Sequence, residues 1–537
     1  MEQEEFDLAI IGGGITGAAV ARDAALRGLK VALIEKSDFA SGTSSKSSKM
    51  IHGGLRYLKQ LDIGLVKESL AERDALLRLA PHLVHPAPYL IPIYSGWRGR
   101  FELHVGLFGY DFLAGGSTLG RHRDLSSAEV LREEPLLRQQ NLSGGFIYYD
   151  CLVNDARLTL AVVKSAHEHG AVVSNYTRAT DLDTKEETLN RIKFFDVLKG
   201  REGVMRARVV VVAVGPWTEE LLQFYQHPGP ALRPTKGVHL TFSRDRLRVN
   251  KIVVVPTKDN RMLFVVPLGK YAYVGTTDTD YEGSPDHVLV EAKDVSYLLD
   301  ALNQCFPSLD LGPADILSAW AGLRPLLMEN GAPSRVSRDH YISLYDDGVA
   351  IITGGKLTTH RTMAKGLIDQ LLEHYDHRLQ GEYQLCRTAE IPLVGGEMAD
   401  FPSYLKAQSL GLKDRWGLSH TTVEHLIHSY GRNHMDILAL GLQDQSLLQP
   451  LVSGCRVVKA QIIYAVEDEM ALTLEDFMSR RTDLLHFNGD PKLALVTAKL
   501  MGRALGWSRA RRQAEIREYR ETFQRMFHFR SAWESPN

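Results

Sequence analysis

The chain has 537 residues, 44% hydrophobic and 24% charged, with a formal net charge of −2. At roughly 150 residues per domain that length implies two to four units, and so balanced a charge gives no long-range field to attract nucleic acid. Cys151, Cys305, Cys386 and Cys455 stand far apart, which excludes a Cys-x-x-Cys zinc site and a disulfide framework, fits a reducing compartment, and leaves no metal expected.

Acidic Glu2, Glu4 and Glu5 open the chain where a secretory signal would be basic. Residues 6–11 are a short apolar run, 12–17 a glycine turn, 15–27 an alanine-rich helical stretch and 30–34 a second apolar run, which together predict a strand, helix, strand unit. Gly28 follows the helix where a left-handed residue returns the chain to the sheet. Gly12, Gly14 and Gly17 spell G-x-G-x-x-G between strand and helix. The pattern supplies a tight turn, close backbone approach to a pyrophosphate and close helix packing, and Ile15 and Thr16 open a helix whose N-terminus favours phosphate. Glu35, followed by Lys36, ends the second strand where a carboxylate takes the ribose hydroxyls of an adenosine. The motif does not say which dinucleotide is bound.

Residues 62–79 predict an amphipathic helix, with Leu65, Leu70, Leu76 and Leu79 on its apolar side and Lys67, Glu68, Glu72 and Arg73 outside. Pro81, Pro86, Pro88 and Pro92 then break helical order. Residues 82–110 mix Tyr89, Tyr94, Trp97, Phe101 and Phe108 with Arg98 and Arg100, a composition suited to an interfacial surface. The runs 194–198, 209–214, 238–242, 252–255, 263–266 and 271–274 predict a substantial antiparallel sheet. The longest apolar stretches, such as 209–214, fall far short of the ~18 residues of a membrane-spanning helix. A linker-like stretch at 391–402 precedes segments with helical periodicity, 457–478 and 491–505, so the chain from about 402 onward reads as a separate helical domain. Within it, 503–530 is arginine-rich with Trp507, Tyr519, Phe523 and Phe527, a second interfacial candidate.

The segment 43–57, TSSKSSKMIHGGLRY, closely resembles the aerobic glycerol-3-phosphate dehydrogenases. Further motifs follow in the family's order: Gly215-Pro216-Trp217; Lys236-Gly237-Val238-His239; Gly275-Thr276-Thr277-Asp278; Gly322-Leu323-Arg324-Pro325-Leu326; Ser337-Arg338-Asp339; and Gly354-Gly355-Lys356-Leu357-Thr358-Thr359. The resemblance implies FAD as cofactor and a mixed α/β and α+β fold. A Rossmann-type FAD-binding part (about 1–80, 145–225 and 335–375) would be interleaved with an antiparallel-sheet substrate cap (about 81–144 and 226–334). Both fall within 1–390, followed by the 391–401 linker and a helical domain, 402–537.

In that frame Thr43, Ser44 and Ser48 supply hydroxyl donors without bulk along the cofactor. Gly53 and Gly54, beside His52, let backbone approach a flat ring. Gly215, Gly354, Leu357 and Thr358 complete the cofactor set, the last three entering a helix whose N-terminus would stabilise negative charge. A phosphorylated substrate requires convergent cations. Arg324 and Arg338 match the family's phosphate-binding arginines, Arg56 and Lys356 match further active-site cations, and Tyr57 lines the pocket. Oxidation at carbon needs a base: His239 ranks first, with His52 and Lys356 as alternatives, and Arg324 beside them. The chain departs from the family at His360, where relatives carry tyrosine, and at Val238, where they carry serine.

The resemblance also implies sn-glycerol 3-phosphate as substrate, a membrane quinone as acceptor and one-sided contact with the inner face of the cytoplasmic membrane. A homodimer and no nucleic-acid partner complete the expectation. Three alternatives stay open: a glycerol-3-phosphate oxidase using oxygen, a non-catalytic flavoprotein, and a flavoenzyme acting on another 2-hydroxy acid.

Overall fold

The computed structural model describes residues 2, 4–55, 62–94, 97–115, 119–184, 188–259, 261–328, 340–379, 381–487 and 491–531. Two sheets stand side by side. The first orders its strands as His340–Tyr345, Val349–Gly354, Arg201–Val212, Glu5–Ile11, Val31–Ile34 and Val172–Ser174; all neighbours are parallel except the first pair. Helix Ile15–Leu26 packs on one face with helices Asp155–Glu168 and His360–His374. Phe6, Ala9, Ile11, Ile192 and Met205 fill the other face. Strands buried on both faces read as unbroken apolar runs, which is why 209–212 shows no alternation. That run therefore belongs to the parallel sheet and not to the antiparallel one expected; 194–196, in strand Asn190–Asp196, pairs with Arg201–Val212 at the same sheet.

The second sheet has ten strands and includes Leu232–Ser243, Tyr271–Gly275, Met262–Leu268, Ile252–Pro256, Val84–Ile93 and Gly144–Val153, with Ile316–Leu327 along Leu232–Ser243. The other four predicted runs lie here. So do Met50–Ile51 and Gly144–Val153, which the expected segment limits gave to the cofactor-binding part. Pro86, Pro88 and Pro92 sit inside strand Val84–Ile93. They fall at alternate positions, so their missing N–H groups lie on one edge and leave pairing with Gly144–Val153 intact along the other.

Helix Ile63–Leu79 is capped by Asp62, whose side chain accepts the Leu65 N–H at 3.1 Å. Leu70, Leu76 and Leu79 are buried as expected, but so are Glu72 and Arg73. Long-range partners draw them in: Glu72 pairs with Arg361, and Arg73 with Asp150 at 2.9 Å. Beyond residue 354 the described residues form helices and turns with one isolated bridge, Pro450 to Val458.

Candidate cofactor and substrate site

The strand-to-helix turn after Glu5–Ile11 opens one end of a cavity of about 970 Å³ that runs between the two sheets. Gly12 has φ +114°, and a Cβ there would meet the Ala213 carbonyl oxygen at 2.5 Å; at Gly17 it would stand 1.9 Å from the Gly12 carbonyl oxygen. At Gly14 a Cβ would find only the Ser44 hydroxyl, at 3.2 Å. The outer two glycines are thus forced by packing, and the middle one leaves backbone bare toward the cavity. Ser44 Oγ accepts the Ile15 N–H at 2.9 Å and ties the serine-rich loop to the helix start.

Glu35 accepts the Gly13 N–H at 2.7 Å and the Ser37 N–H at 2.9 Å. Burial raises its carboxyl and these two donors hold it back. A carboxylate has about four acceptor positions, so two taken from the backbone leave two for ribose hydroxyls, and Glu35 lines the cavity. A bare glycine turn at a helix N-terminus with an adjacent carboxylate fits the ADP half of FAD. Lys36 lines the cavity too, with its ammonium paired to Asp286 at 2.9 Å and 4.5 Å from the Trp217 ring centroid.

Ile15, Thr16, Thr43, Ser44, Ser48, His52, Gly215, Gly354, Leu357 and Thr358 also line the cavity. Gly17, Gly53 and Gly54 do not. Gly53 is small for another reason: a Cβ would meet Leu70 and the Tyr110 hydroxyl at 2.5 Å, and its N–H donates to that hydroxyl at 2.9 Å.

At the other end, register brings the motifs together. Gly237 faces Gly322 across the strand pair, His239 faces Trp320 on one side and Gly275 on the other, and Thr235 faces Arg324. Gly237, His239, Gly322 and Arg324 line the cavity, whereas Val238 points to the opposite face and joins the apolar core. The Val238 departure therefore stays off the site. His360 is buried, its Nδ1 2.8 Å from the Leu357 carbonyl oxygen; burial pushes its pKa down to about 4.

Arg324 donates to Asp278 Oδ1 and Thr276 Oγ1, each at 3.0 Å, which fixes the guanidinium at the cavity wall. His239 stacks on Trp320, with centroids 4.8 Å apart and planes 9° apart, and its Nε2 lies 2.9 Å from Ser48 Oγ. Burial, then the charges of Arg324 and Lys49, push its pKa well below the ordinary histidine value, so the ring is neutral. Lys356 and His52 line the same cavity. Lys236 of the K-G-x-H motif turns away to Asp294, at 2.7 Å. Arg56, Tyr57 and Arg338 lie outside the described residues.

Several supporting residues gave no signal in the sequence. Asp155 accepts the Ser47 hydroxyl at 2.7 Å and pairs with Lys49 at 2.6 Å, which holds the serine loop. Asp150 accepts the Tyr110 hydroxyl at 2.7 Å. Trp320 is the platform for His239.

Residues 7–361 match the family of FAD dependent oxidoreductases; the chain belongs to it and is an FAD-dependent enzyme. Residues 386–512 match the C-terminal domain of alpha-glycerophosphate oxidase. The aerobic glycerol-3-phosphate dehydrogenase of Staphylococcus haemolyticus is 39% identical over 503 residues, 91% of this chain and 88% of that one. The Staphylococcus saprophyticus enzyme of the same name is 36% identical over 530 residues, 96% and 94% of the two chains. The glycerol-3-phosphate dehydrogenase of Bacillus halodurans, solved with FAD, superposes with a TM-score of 0.82 at 31% identity, covering 98% of this chain and 96% of that one. L-alpha-glycerophosphate oxidase from Mycoplasma pneumoniae shares the fold, with a TM-score of 0.57 at 17% identity over 73% of this chain and 99% of that one. Within the FAD-dependent oxidoreductases, this chain is a member of the aerobic glycerol-3-phosphate dehydrogenase family.

Proposed function

We propose that this chain oxidises the C2 hydroxyl of sn-glycerol 3-phosphate, giving dihydroxyacetone phosphate, and passes the electrons to a membrane quinone. The observation that carries the reading is Arg324, a fixed guanidinium on the wall of the cavity that the glycine turn begins, with a neutral imidazole four strand positions further along the same strand pair.

FAD, when bound, would supply the acceptor for the C2 hydride. The protein supplies the rest. A phosphate dianion entering the cavity loses water, and Arg324 and Lys356 replace that hydration with charge-assisted hydrogen bonds; Arg56, Tyr57 and Arg338 join them on the family pattern. His239 takes the hydroxyl proton. Its ring is 2% exposed, so Ser48, in contact with Nε2 and lining the cavity, relays the proton. A bound dianion offsets the positive charge of Arg324 and raises the basicity of the ring at the moment it is needed.

The quinone and the membrane are supported by helix Trp97–Ala114. Phe101, Val105, Phe108 and Phe112 form one stripe at helical spacing and are 63%, 52%, 65% and 78% exposed. The inner side of the same helix carries Tyr110, which holds Gly53 beside the cavity. Among the described residues no helix is long and apolar enough to cross a membrane; the contact proposed is one-sided, and its place at the inner face of the cytoplasmic membrane is taken from the family resemblance. Of the other aromatics expected there, Tyr89 is buried and Tyr94 lies against Arg138; the side chains of Trp97 and Arg98 are outside the described residues. In 503–530, Tyr519 is buried and Trp507, Phe523 and Phe527 pack on the core of the helical domain. A homodimer is proposed on the family resemblance alone, and light scattering would report it as twice 60.0 kDa.

The test is anaerobic addition of sn-glycerol 3-phosphate to the yellow holoenzyme. Bleaching is expected; no bleaching would leave a non-catalytic flavoprotein, and bleaching by a 2-hydroxy acid alone would move the arginines to a carboxylate. Reduced enzyme is then mixed separately with a soluble quinone and with oxygen. Rapid reoxidation by oxygen alone would make the chain an oxidase, the name carried by the family of its C-terminal domain.

A further inference from the structure

The segment 35–40 forms one wall of the glycine turn. Besides the Glu35 bond, the Ala40 N–H donates to the Gly13 carbonyl oxygen at 3.1 Å, and a Cβ on Gly13 would meet the Phe39 ring at 2.6 Å. The middle of this segment is Asp38, fully buried; Asn175 Nδ2 donates to its Oδ1 at 3.1 Å, and its charged partners come from outside the cofactor-binding part. Arg480 Nε and Arg481 Nη1 both donate to Oδ2 at 2.6 Å, and Arg481 Nη2 donates to Oδ1 at 2.8 Å. Burial alone would raise the Asp38 carboxyl; Arg481 and Arg480 hold it below its ordinary value.

Both arginines are themselves fixed. Arg480 pairs with Asp476 at 2.7 Å, and Arg481 donates twice to the Glu469 carbonyl oxygen. The Tyr176 hydroxyl, on the turn beside the second strand, donates to Asp476 at 2.7 Å. Glu469 also binds Arg157 on helix Asp155–Glu168, whose first residue, Asp155, holds Ser47 and Lys49. The helical domain therefore reaches both loops that frame the glycine turn, through buried charge-assisted bonds at Asp38 and a part-buried chain of such bonds through Arg157 and Asp155.

We infer that the C-terminal helical domain is a working part of the cofactor site: Arg480 and Arg481 are positioning residues that, through Asp38, hold 35–40 in the conformation that grips the ADP half of FAD. A buried carboxylate without its partners either draws in water or takes up a proton; either outcome frees Ala40 and Phe39 from the turn. The inference rests on the cofactor alone, so failure of the substrate or quinone reading leaves it standing.

Asp38→Asn keeps the shape and removes the charge. The dissociation constant for FAD, read by flavin fluorescence on titrating the apoprotein, is expected to rise at least tenfold, with kcat at saturating FAD within twofold of the parent and a smaller rise in Tm on adding FAD. Parent-like FAD affinity would overturn the inference. So would equal falls in Tm with and without FAD at an unchanged dissociation constant, the mark of a merely structural bolt. If Asp38→Asn does not fold, Tyr176→Phe decides, because it removes one neutral hydroxyl from Asp476 at the rim of the cluster: FAD bound threefold more weakly upholds the inference, and unchanged binding sinks it.

Discussion

Arg324→Ala removes a cation from the cavity wall and leaves Asp278 without the pair drawn here. KM for sn-glycerol 3-phosphate should rise more than tenfold, about the loss of one charge-assisted bond; unchanged steady-state kinetics would take Arg324 out of the phosphate site. His239→Asn should instead lower kcat by about 100-fold or more, the usual range for a lost general base, with KM within a few-fold. A parent-like kcat would pass the role to His52 or Lys356. The glycine turn, Glu35 and the motif residues were legible because each signal is local, a spacing of a few residues. The residues that hold them were not. Asp155 meets Ser47 from 108 positions away, and Trp320 reaches His239 only because two strands pair in one register. No window of sequence contains such pairs.

At the level of elements, the period of the hydrophobic pattern served well for helices and less well for strands. Helix Ile63–Leu79 was readable from its leucines, but the burial of Glu72 and Arg73 comes from partners elsewhere in the chain. Strand Val84–Ile93 was hidden by its prolines, which a strand tolerates when their missing donors share an edge. Helix Trp97–Ala114 presents the opposite case, with a stripe of Phe101, Val105, Phe108 and Phe112 and nothing over it among the described residues. Replacing Phe101, Phe108 and Phe112 with serine should abolish sedimentation with anionic lipid vesicles while turnover with a soluble quinone stays within twofold. Retained vesicle binding would move the membrane face elsewhere.

Across the whole molecule, four histidines mark the seam where strand Val84–Ile93 of the second sheet meets the helical domain. His82 just precedes that strand and His85 lies in it; His425 and His428 lie on helix His420–Tyr430, with His428 Nδ1 3.0 Å from His85 Nε2. Burial pushes His82, His85 and His425 down to about 3, and lowers His428 as well. The unfolded chain protonates such groups near 6.5 and the folded chain does not, so stability is unaffected above about pH 7 and falls as pH drops from about 6.5 toward 3. At pH 5 the loss is roughly 1–2 kcal/mol for each of His82, His85 and His425. Tm measured from pH 7.5 to 5 should decline, and His425→Gln should flatten the decline; a flat parent curve would contradict the burial of these rings.

The grip on Asp38 also has a consequence in time. Its partners lie 442 and 443 positions further along the chain. A ribosome that has released the first strand, the glycine turn and both sheets has made a protein with a complete nucleotide fingerprint and, beside it, a buried carboxylate that has Asn175 but still lacks its two arginines. If these arginines position the segment as inferred, firm retention of the flavin belongs to the finished polypeptide, and a chain that ends before residue 480 should hold it at least tenfold more weakly.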